Sequence, residues 1–316
     1  MWKRILFISN FDVCMKRFLL YSMLFGAIVV CTLLLGEYVI SSSYNSYKYK
    51  HQWMLDNAEK VEVLILGSSH SYYGVYPGDF CNNSFNLANI SQNFEYDYLL
   101  LRNYEKGLTN LHTVILPVSY CSLFDARFED CDEWWYAINY KKYMGIDVHS
   151  DISKYNFELS KMSVYSGRLL NVVSGKGLPA CDSLGFGLGY TLAKRLPTWR
   201  EDARSAVERH TACNWDALDG NVASLRMILT LCRENSWRPI LVTLPASQYY
   251  YNSLDSAQMQ KMCEVVELMK VEFPDVEYFD FLKNENFVDD DFYDSDHLSD
   301  VGARKFSKML KDSISF

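Results

Sequence analysis

The chain has 316 residues, enough for one large domain or two modest ones, and its 23 Tyr, 18 Phe and 7 Trp supply ample core. A formal charge of −8, unrelieved by any long basic run, excludes nucleic acid as a partner. The nine cysteines form no CxxC pair and have no Cys/His spacing suited to zinc, so neither a metal nor a cofactor is expected.

In chain order, the first feature is the run from Phe18 to Gly36, nineteen residues without a charge. At ~1.5 Å per residue it covers roughly the ~30 Å hydrocarbon core of a bilayer. Lys3, Arg4, Lys16 and Arg17 precede it, and Glu37 follows directly. The positive-inside rule then makes 1–17 a cytoplasmic tail, 18–40 a single transmembrane anchor, and the remainder extracytoplasmic. A cleaved signal peptide or a buried core helix would share the apolar run. The first needs a shorter apolar region and a better cleavage site than Ser41-Ser42-Ser43. The polar, tyrosine-rich residues 41–60 read as a stalk, and 61–316 as the folded domain.

Val61 to Leu66 is an aliphatic run stopped abruptly by Gly67-Ser68-Ser69, which predicts a short buried strand ending in a tight turn. Ser71 to Pro77 reads as a helical turn or loop, Ser84 to Gln92 as a strand breaking into a polar turn, and 95–106 as a helix. Thr113 to Pro117 is a third strand. A long helix follows over 214–235, with Leu218, Val222, Leu225, Ile228 and Leu229 on one stripe. Pro239–Pro245 is a fourth strand, 259–273 a helix, Val276–Phe281 a fifth strand and 302–314 a closing helix. Short apolar strands alternating with amphipathic helices predict an α/β fold with a doubly wound, mainly parallel sheet.

Between about 124 and 213 the alternation is lost. This insert carries Trp134, Trp135, Tyr136, Tyr140, Tyr143 and Trp199. Aromatics in such a segment more often form its own small core than a ligand platform. Trp134, Trp135 and Tyr136 are nevertheless the expected substrate grip, because sugars stack on aromatic faces. Gly185 to Gly189 resembles a nucleotide-binding loop but lacks both the GxGxxG spacing and a preceding strand. Cys121 and Cys131 are close enough in sequence to bridge, and nothing in the sequence establishes that they do.

A serine at a strand's carboxyl edge becomes a nucleophile only with a base and a group orienting that base. Asp294-Ser295-Asp296-His297 falls between the last strand and the last helix, at the same sheet edge. With Gly67-Ser68-Ser69 it resembles the two end motifs of the SGNH (GDSL-like) hydrolase family, a serine just after the first strand and a DxxH block before the last helix. The matching blocks cover roughly 61–124, 214–250 and 276–310. The anchor and the GSSH wording are most similar to the branch of alginate O-acetylation proteins and the teichoic acid D-alanylation accessory protein.

That resemblance implies a three-layer α/β sandwich with Ser69 as nucleophile, His297 as general base and Asp294 as its orienting partner. Asp296 is the other carboxylate available, although adjacency to His297 makes its geometry awkward. His70 would point away or line the pocket. The oxyanion would rest on the N–H groups of Ser69 and Ala88, an alanine standing where the family has glycine. The family's GxND asparagine is missing after the third strand, and Ser119 is the replacement to test. An α/β-hydrolase would share the order Ser, Asp, His but needs a G-x-S-x-G elbow absent here. The implied function is a membrane-anchored extracytoplasmic esterase or O-acyltransferase acting on acyl groups, acetyl foremost, of a cell-surface glycan or other acylated carbohydrate. The alternative is a catalytically weak or inactive glycan-binding or assembly subunit beside a membrane acyltransferase partner. A lipase working near the bilayer ranks last.

Overall fold

All five apolar runs become strands of a single sheet: β1 (Val63–Ile65), β2 (Ser84–Asn86), β3 (Thr113–Pro117), β4 (Arg238–Thr243) and β5 (Glu277–Asp280). Every pairing is parallel and the order is β2-β1-β3-β4-β5. Strands β1, β2 and β3 are buried along their whole length, which is why β1 and β3 read as near-continuous apolar runs and not as alternating ones. The chain leaves β1 for β2 on one side and returns to β3 on the other. The crevice outside the carboxyl ends of β1 and β3 is therefore the switch point of the sheet, where α/β folds place their ligands.

The computed structural model describes residues 2–146, 156–175 and 180–314. They divide into two compact units, one of residues 1–44 with 151–178 and the other of 45–150 with 179–316. The sheet lies in the larger unit. After each strand the chain turns into helix: α3 (Ser69–Gly74), α4 (Phe94–Tyr104), α8 (Leu218–Glu234), α10 (Ser256–Glu272) and α11 (Asp300–Ser313), with the short α9 (Gln248–Tyr251) following β4. Val63, Ile65, Ile115, Ile240 and Val242 of the central strands share one core with Ala303, Phe306 and Leu310 of α11. The stripe expected on the long helix is the one that buries Val222, Leu225, Ile228 and Leu229.

Two expectations need correction. Residues 46–57 are no free stalk: they form α2 (Ser46–Asn57), capped by Asn45 and packed into the larger unit. Trp53 stacks on Phe85 at 3.7 Å, Met54 is fully buried, and so is the whole of Lys50. The stretch reads as polar because α2 buries a tyrosine and a lysine beside its methionine, where most helices bury aliphatics. Nor is the insert one body. Its helices α5 (Tyr136–Met144) and α7 (Ala203–His210) belong to the larger unit, whereas α6 (Met162–Val173) belongs to the smaller.

The smaller unit is built on α1 (Trp2–Ser42). Its stretch Val13–Ser42 is long and apolar enough to cross a membrane. The disulfide considered between Cys121 and Cys131 does not form.

Candidate active site

Gly67 makes the turn that presents Ser69. Its φ of +107° lies in the left-handed region, and a Cβ there would stand 2.2 Å from Pro117 Cγ. Its N–H donates to the buried Asp97 carboxylate at 2.8 Å, and Asp97 also accepts from Gln92 Nε2 at 2.6 Å. Burial lifts the Asp97 carboxyl to about 7. The chain thus leaves β1 through a sharp, anchored corner and enters α3 with Ser69 as its first residue. First-turn N–H groups have no acceptor within their helix, so that of Ser69 is available to a ligand by position.

The other motif is a hairpin held at both ends. Tyr293 N–H donates to His297 O at 3.0 Å, and Phe292 pairs with Leu298. Ser247 clamps the tip, its N–H and its hydroxyl both reaching Ser295 O, at 3.1 and 2.7 Å. Ser299 caps α11, and Gly302 allows the helix to pass so close to Asp291 O that a Cβ would meet it at 1.9 Å. Asp300 is the first helical residue and accepts the Leu192 N–H at 2.7 Å.

These two turns bring Ser69, His297 and Asp294 together. Ser69 Oγ lies 2.8 Å from His297 Nε2, and His297 Nδ1 lies 3.0 and 3.1 Å from the two Asp294 oxygens. Asp294 Oδ1 also accepts the His297 backbone N–H at 2.8 Å, which fixes carboxylate and ring in one register. This is the geometry in which a hydroxyl can lose its proton to an imidazole whose far nitrogen is held by a carboxylate.

Asp296 adds something a three-residue site does not have. Its carboxylate is buried, and Oδ2 stands 3.2 Å from His297 Nδ1, 3.3 Å from His70 Nε2 and 4.0 Å from His210 Nδ1. No donor meets Oδ2 in hydrogen-bonding geometry, so Asp296 acts on these rings as a charge at close range. Burial works against the charged form of His297, but the Asp296 and Asp294 carboxylates outweigh it and raise its pKa to about 9. Burial dominates at His210, which falls to about 4 and keeps its Nδ1 2.7 Å from Tyr250 OH. His70 neither points away nor only lines the pocket: it stacks on His297 with centroids 4.6 Å apart and planes 13° from parallel. His70, Asp296 and His297 have the residue types of a metal site. Metal ligation needs in-plane lone pairs converging on one point, which two stacked parallel rings cannot offer.

The remaining predicted residues are placed less favourably. The Ala88 N–H, assigned to the oxyanion hole, donates to Asn86 Oδ1 at 3.0 Å, and Ala88 is fully buried. Asn86 is locked in that pose because its Nδ2 donates to Ser71 O and Val75 O at 2.8 and 3.0 Å. Ser119 donates its N–H to Ser122 Oγ at 2.9 Å, and its own Oγ lies 3.6 Å from Cys121 Sγ. Trp135 stacks on Tyr136 at 3.9 Å, and Tyr136 packs toward Phe128 in the insert's aromatic core. All three expected grip residues, Trp134, Trp135 and Tyr136, are half-buried at the start of α5.

Sequence reasoning misses the aromatic wall that does border the pair. Tyr190 meets the His297 ring edge-on at 5.0 Å and is sandwiched between Tyr73 at 3.9 Å and Tyr293 at 4.1 Å. The signal was the glycine run just before it. A Cβ on Gly185 would meet Asn86 O at 2.1 Å and one on Gly187 the Tyr73 ring at 2.5 Å, so these glycines let the segment lie flat against α3.

No protein-family model and no curated protein matches the sequence. Among solved structures, the chain is similar to a protein from Streptococcus pneumonia provisionally described as a platelet activating factor, with 12% identity and TM-score 0.42, over 92% of this chain and 98% of that one. A provisionally described acylhydrolase from Bacteroides fragilis has 12% identity and TM-score 0.38 over 83% and 95%. A GDSL-like lipase from Bacteroides thetaiotaomicron has 10% and 0.41 over 85% and 99%. Likenesses this distant carry nothing about activity. A doubly wound parallel sheet with its serine after β1 and its DxxH turn before α11 is the arrangement that the two motifs implied. The fold is SGNH-hydrolase-like. In this SGNH-like domain the histidine carries two carboxylates on one nitrogen, one bonded and one not.

Proposed function

We propose that the protein is a membrane-anchored serine esterase or O-acyltransferase working outside the cytoplasm on acyl, foremost acetyl, groups of cell-surface polysaccharide. The observation that carries this reading is the 2.8 Å contact between Ser69 Oγ and a His297 already held by Asp294. Ser69 Oγ attacks the ester carbonyl carbon while its proton passes to His297 Nε2. The tetrahedral oxyanion accepts from the Ser69 N–H, and on collapse the sugar oxygen leaves with the proton from His297. Water, or a hydroxyl of a second sugar, then attacks the acyl-serine with His297 again as base, giving hydrolysis or transfer. The wall of Tyr73, Tyr190 and Tyr293 supplies flat aromatic faces suited to a pyranose ring. The apolar stretch of α1 supports anchoring, and the basic residues before it support a cytoplasmic N-terminus. A fluorophosphonate probe should label the wild-type chain and not Ser69→Ala; equal labelling of both would sink the proposal.

A second reading is favoured by the Ala88 N–H being spent on Asn86. With that donor occupied and no asparagine after β3, oxyanion stabilisation is poor. Loss of one donor costs about 10²–10³ in rate. The domain would then serve as a glycan-binding or assembly subunit beside a membrane acyltransferase. Retained glycan binding with no acetate release from acetylated glycans would select it.

A further inference from the structure

We propose that α6 lies in the membrane interface beside the end of α1, its Leu170 and Val173 seated among lipid acyl chains. This inference rests on the reading of α1 as a membrane span. Glu37, the first charge after the apolar run, is buried because its two carboxylate oxygens accept the N–H groups of Glu158 and Leu159, at 3.0 and 3.1 Å. The segment leading into α6 is therefore pinned where α1 leaves the hydrocarbon. From there α6 packs back along the apolar run and not away from it. Tyr165 OH donates to Leu33 O at 3.1 Å, and Tyr165 and Leu169 sit against the bare Cα of Gly36.

Leu33 to Glu37 spans four residues, about 6 Å along a helix axis. An interfacial amphipathic helix sinks its apolar face about 5–10 Å below the headgroups, the same depth.

The faces of α6 agree. At about 100° per residue, Val164, Tyr165, Arg168, Leu169 and Val172 turn to one side. All five are at least partly covered. Met162, Leu170 and Val173 lie on the adjoining arc, with the small Ser166 among them, and are 54%, 68% and 74% exposed, with Phe157 just before the helix at 48%. The polar arc holds Gly167 and Asn171. An apolar surface wider than α1 covers, continuous with the bare apolar flank of α1 itself, fits a bilayer, which coats both without a gap. The exposed Tyr38, one turn beyond the contact, is of the residue type that marks such a boundary.

The test uses the full chain in phosphatidylcholine–phosphatidylglycerol nanodiscs with the photoreactive residue p-benzoylphenylalanine. Leu170 and Val173 are each replaced by it, as are Gly167 and Asn171 on the polar arc and Val29 within the span. Irradiation and mass spectrometry then read phospholipid adducts. Positions 170 and 173 should yield about tenfold more lipid adduct than 167 and 171, and as much as position 29. Adducts at 29 with none at 170 and 173, or protein cross-links there instead, would overturn the proposal while leaving the anchor standing. No adduct at 29 would overturn the anchor and the proposal with it.

Discussion

If Asp296 charges His297 through space, removing that charge while keeping the shape will move the pH at which the histidine becomes a base. The substitution is Asp296→Asn. In the wild-type chain His297 sits at about 9 against an ordinary 6.5. That difference represents about 3 kcal/mol in favour of the imidazolium, at about 1.4 kcal/mol for each unit. A side chain only 12% exposed needs little discount for solvent screening. At pH 7 about one molecule in a hundred then holds His297 neutral and able to take the Ser69 proton. The asparagine leaves the Asp294 bonds in place and removes the charge 3.2 Å from Nδ1. We expect the His297 pKa to fall by one to two units, about ten- to fiftyfold more neutral base at pH 7. The assay is the pH profile of kcat/KM on a chromogenic acetate from pH 5.5 to 10. Its acid limb should stand near 9 in the wild type and near 7–8 in the variant. Titrating the His297 ring proton by NMR in a Ser69→Ala background reports the same shift without turnover. Acid limbs that superimpose, with ring titrations that coincide, would refute the reasoning.

Two further outcomes concern stability. Burial lowers Lys50 from 10.5 to about 7, although its Nζ bonds Ala88 O and faces the Tyr72 ring at 4.4 Å. A cation whose folded pKa lies below its unfolded one costs stability below the folded value and stops costing it above the unfolded one. The wild type should therefore lose about 4–5 kcal/mol as pH falls from 10.5 to 7 relative to Lys50→Met, with no further change below 7; parallel pH–stability curves in urea would contradict this. Gly67→Ala combines a φ of +107° with a Cβ 2.2 Å from Pro117 and should cost about 2–4 kcal/mol. A melting temperature within a degree of wild type would show that the corner is not strained.

What is legible in the sequence follows from how local each signal is. The strands are legible because parallel strands buried on both faces must be apolar throughout, as Val63 to Ile65 and Thr113 to Pro117 are. Asp294 is legible as the partner of His297 because a three-residue offset lets one carboxylate reach both the backbone N–H and the ring of the same histidine. Adjacent Asp296 cannot do so, and it makes no hydrogen bond to the ring; yet its charge stands 3.2 Å from the same nitrogen, which only distances reveal. His210 ends α7 and Tyr190 stands outside any long helix or strand before it, so neither carries a local mark of the site it borders. Lys50 misleads in the opposite way: a charged residue among tyrosines reads as solvated, and only a carbonyl and a ring face waiting inside the fold make its burial tolerable. The same holds for Ala88. Its type permits an oxyanion donor, but the doubly anchored amide of Asn86 takes the N–H, and that competition is set by contacts to Ser71 and Val75 that no motif around Ala88 announces.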